Sequence, residues 1–141
     1  MGEDTVVVDT SVIVKWLNQD NEDYIEQADK ILKDAQLDKI IIIAPELAKY
    51  EVGNVLLLGK HLTVEQANIV LAQLYKLPIA FVEDTPELAE ETFRLANEAK
   101  VTYYDAAFMA LASQYNATLV TENMKHQGKL TVIKVRAVKD Y

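Results

Sequence analysis

The stretch Val6-Val7-Val8-Asp9-Thr10-Ser11 decides how this chain is read. Three consecutive β-branched residues make a short apolar run, the mark of a strand buried on both faces. A carboxylate follows at once, and then two hydroxyls of the kind that cap helices. In open α/β folds the ligand crevice lies outside the carboxyl ends of the strands. Asp9 is therefore expected on the rim of such a crevice, where a lone charge is costly without a cation or a partner.

Outward from that stretch, apolar runs alternate with helical periodicity. A short helix is expected over 11–17, with Val12, Ile13 and Trp16 as its apolar contacts. An amphipathic helix follows over 22–37, where Tyr24, Ile25, Ala28, Ile31, Leu32 and Ala35 recur at spacings of three and four. Ile40 to Ile43 reads as a second buried strand, and Pro45 suits the first turn of a helix that Gly59 stops. Thr63 and Gln66 form a capping box for the next helix. A third strand is expected over 79–82, and Thr85-Pro86 opens a helix with a hydroxyl cap and a proline just inside it. A helix over 104–115 and strands over 118–121 and 130–135 complete the pattern, which implies a mainly parallel sheet flanked by helices.

Composition narrows the chemistry. The chain has 141 residues, 50% of them apolar and 26% charged, which fits one globular domain spanning 1–141. It contains no cysteine, so disulfides, thiolate metal sites and cysteine nucleophiles are excluded. The first apolar run is too short for a signal peptide and follows Glu3-Asp4, and no apolar stretch is long enough for a membrane span; a cytoplasmic location is expected. The net charge of −8 opposes nonspecific nucleic-acid binding. Its distribution is uneven, however, with acids crowding the first 38 residues and Lys125, Lys129, Lys134, Arg136 and Lys139 enriching the last 21. A polyanion would need that local basic patch together with a metal ion.

Four positions bear on whether acids converge. Asp9 follows the first strand and Glu122-Asn123 the fourth, so both stand at carboxyl ends of core strands. Glu51 lies about two turns into its helix by the 3.6-residue period. Asn54, three residues on, shares its helical face and is placed to orient it. Asp105 is near a helix start, where an acid commonly serves only as a cap, and Glu51 by itself reads as a solvated helix acid. Convergence of such acids raises their pKa values by mutual repulsion, for which a divalent cation is the remedy. Oxygen-only ligation favours magnesium or manganese over zinc. Neither a Ser-His-Asp arrangement nor a phosphate-cradling glycine loop is present, which leaves metal-assisted hydrolysis as the best-supported chemistry.

Four segments in order resemble the PIN-domain ribonucleases, and among them the VapC-type toxins of toxin–antitoxin pairs. They are Val-Val-Asp-Thr-Ser-Val at 7–12, Pro-Glu-Leu-Ala-Lys-Tyr-Glu-Val-Gly-Asn-Val-Leu at 45–56, Tyr-Asp-Ala-Ala-Phe-Met-Ala-Leu-Ala at 104–112, and Leu-Val-Thr-Glu-Asn at 119–123. The resemblance implies a three-layer α/β/α sandwich of about five strands. Asp9, Glu51 and Asp105 match the family's three principal acids, which bind magnesium or manganese and activate water for RNA cleavage. Ser11 matches a hydroxyl supporting the first acid, and Thr121 one that organises the last acid. Asn123 departs from the pattern, standing where many members carry aspartate, and Glu122 is a neighbouring substitute.

The resemblance further implies a homodimer and an antitoxin that silences the toxin through its acidic groove. Trp16, Leu17 and Tyr24 offer apolar surface to such a partner or are ordinary core. Lys125, His126, Lys129, Lys134 and Arg136 are candidates for holding RNA phosphates; Lys134 and Arg136 read equally as outward residues of an edge strand. Tyr103 and Tyr104 either stack unpaired bases or pack inward. Two alternatives stand beside the endoribonuclease: a catalytically weak binding module blunted at Asn123, and a phosphoryl-transfer domain with Asp9 as covalent nucleophile.

Overall fold

The computed structural model describes residues 4–127 and 132–141. Its core is a parallel sheet of five strands in the order β3-β2-β1-β4-β5, with β1 at Asp4–Val8, β2 at Ile40–Pro45, β3 at Ile79–Val82, β4 at Thr118–Thr121 and β5 at Val135–Ala137. The centre belongs to β1, and Val6, Val7 and Val8 are buried there as their β-branched run demands.

The chain winds outward from β1 to β2 and β3, then returns to lay β4 on the other side of β1. Right-handed crossovers put the helices of the first half on one face and those of the return on the other. On the first face, α1 (Thr10–Leu17) packs against α2 (Ile25–Gln36), α3 (Leu47–Asn54) and α4 (Val64–Leu74). On the second, α5 (Pro86–Ala99) packs against α6 (Tyr103–Gln114), which also lies on β1 and β2. This is the expected three-layer α/β/α sandwich. The reversal of winding between β1 and β4 opens a crevice at their carboxyl ends, where such folds take their ligands.

Local detail differs from the expectation in four places. Pro45 is the last residue of β2, not the first of a helix. β1 has turned away into α1 by that level, so the missing N–H breaks no ladder bond, while the Glu46 N–H donates to Val82 O at 3.1 Å. Beyond Asn54, α3 loosens into a π-helical turn, Val55–Gly59, closed by the Lys60 N–H on Val55 O at 2.8 Å. The helical segment ends at Gly59, where the sequence placed its stop, and the left-handed residue beyond it is His61, with φ of 55°. Finally, β5 begins at Val135: residues 130 and 131 of the anticipated strand lie outside the described residues, and residues 132–134 form a turn. A short helix, α7 (Met124–Gln127), follows Asn123 and had no counterpart in the sequence reading. The capping box on α4 and the Thr85-Pro86 start of α5 form as expected.

Candidate active site

Asp9 sits where β1 ends, and its N–H continues the ladder to Val120 O at 3.3 Å, making Asp9 and Thr121 neighbours across the β1–β4 seam. Its side chain is buried, and its backbone is extended, as a residue preceding a helix should be. It is Asp9 that caps α1, accepting from the Val12 N–H at 3.4 Å, while the hydroxyls expected to cap do other work. The Ser11 hydroxyl donates to Asp9 Oδ1 and the Thr121 hydroxyl to Asp9 Oδ2. Thr10 Oγ1 donates to Glu51 Oε1 at 2.6 Å. Thr10 as the partner of Glu51 is the support that the sequence reading missed, although its place between Asp9 and Ser11 was the available signal. Asn54 lies beside Glu51 in the same cleft.

Asp9, Glu51, Asp105 and Asn123 line one cleft, with Thr10, Ser11 and Asn54 on its walls and Phe108 packed below. Asp105 stands in the first turn of α6, but that helix is capped by Thr102, whose hydroxyl accepts from the Asp105 N–H at 3.0 Å. The Asp105 carboxylate is thus not spent on capping; its Oδ2 lies 3.3 Å from His126 Nδ1 on α7. Among the described residues no three histidine, aspartate or glutamate side chains meet closely enough to grip one ion together. The acids share a cleft without sharing a contact point.

Burial is the main force on their protonation. It pushes Asp9 up to about 6, against the pull of its bonds from Ser11, Thr121 and the Val12 N–H. Glu51 is also held above the usual carboxylate range, first by burial and then by the charge of Asp105, with Thr10 opposing. Mutual repulsion, the cause anticipated from the sequence, is therefore secondary to desolvation.

The flanking candidates divide. Asn123 faces the cleft, its N–H donating to Thr121 Oγ1 at 2.7 Å. Glu122 does not: its carboxylate meets the Lys15 ammonium at 2.5 Å, on the α1 side. The Lys15 ammonium is thereby bonded to Glu122, not to Asp9, beside which a phosphoryl-transfer site would want a lysine. Lys125 is exposed on α7, directly after Asn123. Lys129 lies outside the described residues. Arg136 on β5 and Lys134 just before it are exposed around a polar hollow with Asp4, Asn116, Thr118 and Val120. Arg136 is committed there, donating to Asp140 O at 2.6 Å and stacking on Tyr141. The structure does not bring these two to the acids: Arg136 pairs with Val120 on the edge strand, and alternation along β5 turns its side chain and that of Lys134 to the hollow shared with Asp4, Thr118 and Val120, not to the Asp9 cleft. Trp16 donates from Nε1 to Ala28 O at 2.8 Å and Leu17 is buried, so both are core, whereas Tyr24 is partly exposed. Tyr103 and Tyr104 are exposed and edge a separate apolar hollow with Leu47, Val82 and Leu88.

Residues 6–127 match the PIN domain. The chain belongs to the PIN domain family. It is 34% identical over 122 residues to Ribonuclease VapC3 from Pyrobaculum aerophilum, covering 82% of this chain and 87% of that one. The fold is also that of VapBC2 from Rickettsia felis, solved bound to a DNA fragment from its promoter, with a TM-score of 0.72 at 14% identity over 94% of this chain and 98% of that chain. VapC20 from Mycobacterium tuberculosis, described as a sarcin-ricin loop cleaving toxin, superimposes with a TM-score of 0.60 at 15% identity, covering 81% of this chain and 86% of that chain. Among the described residues no helix is long and apolar enough to cross a membrane.

Proposed function

We propose that this PIN domain is a metal-dependent endoribonuclease, the toxin of a toxin–antitoxin pair, that hydrolyses RNA phosphodiester bonds in the Asp9 cleft with magnesium or manganese. The observation that carries this reading is the gathering of Asp9, Glu51, Asp105 and Asn123 on one cleft at the β1–β4 switch point. The ribonuclease relative supports the reaction class.

The donor set fits a hard divalent cation, because every group that the four residues present is an oxygen donor or an amide. Burial that holds Asp9 and Glu51 above their ordinary range is relieved when a cation arrives. The spacing of the acids favours an ion that keeps part of its water shell, as magnesium does. When bound, the ion lowers the pKa of the attacking water and neutralises charge on the cleaved phosphate. The chain's own residues fix the frame: Ser11 and Thr121 hold both oxygens of Asp9, and Thr10 holds Glu51. Asn123 adds a neutral amide where a carboxylate would bring a further charge, and Lys125 is available to an RNA phosphate beside the cut.

A cytoplasmic toxin of this kind works with partners, a second copy and an antitoxin. Its surface supports that, with Tyr50, Leu57, Leu58, Val64, Ile69 and Phe93 all largely exposed.

Incubation of the purified protein with RNA and magnesium or manganese tests the proposal. Cleavage is expected with either ion, and Asp9→Asn or Asp105→Asn is expected to lower it about a hundredfold or more. Undiminished cleavage in EDTA would overturn the reading. The amide at Asn123 favours one second reading, a blunted module that acts by binding. If the natural protein is inert and Asn123→Asp confers strong cleavage, that second reading is correct.

A further inference from the structure

We infer that Lys15 is a positioning residue for the cleft, clamping the β4–α7 loop through Glu122 so that Asn123 faces the acids. The inference rests on the proposed ribonuclease site and adds to it a residue that touches none of the reacting atoms.

Lys15 lies on α1 with its side chain fully buried, an unusual place for an ammonium. An ammonium has three donors, and each finds an acceptor: Glu122 Oε1 at 2.5 Å, Asp23 O at 2.6 Å and Glu22 Oε1 at 3.0 Å. Burial pulls Lys15 down, but the bonds to Glu122 and Glu22 outweigh it and keep the charged form. Glu22 has a second cation of its own, Lys60 at 2.7 Å.

The geometry at Glu122 is what makes this more than an ion pair. Lys15 and Ser11 stand one helical turn apart on α1, on the same face. Ser11 Oγ accepts the Glu122 N–H at 3.4 Å, and Lys15 takes the Glu122 carboxylate. One helix therefore holds Glu122 by its backbone and by its side chain. The next residue is Asn123, whose N–H is tied to Thr121 Oγ1, itself a donor to Asp9. The same helix is capped by Asp9. The loop carrying the amide and the strand end carrying the first acid are thus fixed to one rigid body.

The test uses Lys15→Met, Glu122→Gln and the double variant Lys15→Met/Glu122→Leu. Three readouts are taken: manganese-dependent cleavage of a short single-stranded RNA, melting temperature, and amide hydrogen exchange. Lys15→Met is expected to lower kcat by about ten- to a hundredfold, the cost of a small misplacement, with KM within about twofold. Exchange at Glu122 and Asn123 should quicken about tenfold or more while Val7 and Val8 stay protected. The double variant replaces the pair by apolar groups, leaves Glu22 with Lys60, and should regain melting temperature without regaining kcat. Wild-type kcat in folded Lys15→Met, or recovery of kcat together with stability in the double variant, would reduce Lys15 to a structural brace. So would unchanged exchange at Glu122 and Asn123 in both variants. A wild-type protein that cleaves no RNA would refute the ribonuclease reading instead, and the exchange measurements would still decide whether Lys15 clamps the loop.

Discussion

Asp9 and Lys15 are two buried charges six residues apart, and the protein treats them oppositely. Lys15 meets two carboxylates and a carbonyl, so its charge is compensated in full and its ionised form is favoured. Asp9 meets neutral donors, two hydroxyls and the backbone N–H groups of Ser11 and Val12, and burial leaves its carboxyl at about 6. A buried charge that is neutralised inside the protein serves the frame. A buried charge that is oriented but not neutralised is waiting for a ligand of opposite sign. The difference separates architecture from chemistry within a single helix and its cap.

That contrast can be broken most forcefully at Lys15. Lys15→Met removes the cation shared by Glu122, Glu22 and the Asp23 carbonyl, and should cost about 3 kcal/mol in chemical denaturation. Asp9→Asn should be neutral or stabilising in the same assay at neutral pH. Nearly as large is the expected pH effect in protein freed of metal by chelator. The folded state holds the Asp9 proton more tightly than the unfolded chain, whose carboxyl keeps the ordinary value of 3.8. Stability from this group is thus complete below about pH 4 and lost as pH rises through about 6, a change on the order of 3 kcal/mol. Melting curves of the wild type, compared with Asp9→Asn between pH 4 and 7, read it out, and parallel curves would refute it. Third, manganese at a hundredfold excess over its Kd should stabilise the wild type by about 2.7 kcal/mol, and Asp9→Asn by much less. The smallest effect is a control: Thr63→Ala removes the α4 cap, whose bonds are to Gln66 and to neither charge, costs about 1 kcal/mol, and leaves cleavage unchanged.

The layout of the sheet was legible in the sequence because each core strand is a short apolar run bounded by polar residues. Asp9 was legible for the same reason, being the first charge after such a run. The family resemblance suggested Ser11 as its support; the hydroxyl of Thr121, expected to organise the last acid, donates to Asp9 instead. The orientation of Glu122 was not readable. Two adjacent residues leaving a strand end point different ways, and which one turns inward depends on what the opposite helix offers. Here α1 offers an ammonium. That ammonium was itself hidden, since a lysine in an amphipathic helix is ordinarily solvated and only tertiary contacts reveal otherwise. Lys134 and Arg136 show another limit. Clustering in sequence says that positive charges are close together, but strand alternation and the neighbouring strand decide which hollow they line. Pro45 misled because its two tolerated positions, helix start and strand margin, are locally alike.

The carboxylate at the head of α1 has two jobs, and this governs how the protein should be silenced for study. An alanine there would remove the acid and also unseat the first turn of the helix that carries Ser11 and Lys15. Asparagine caps a helix about as well as aspartate does. It takes away the charge while the scaffold stays seated, so a knockout made that way reports on reactivity, whereas one made with alanine mixes reactivity with loosened structure.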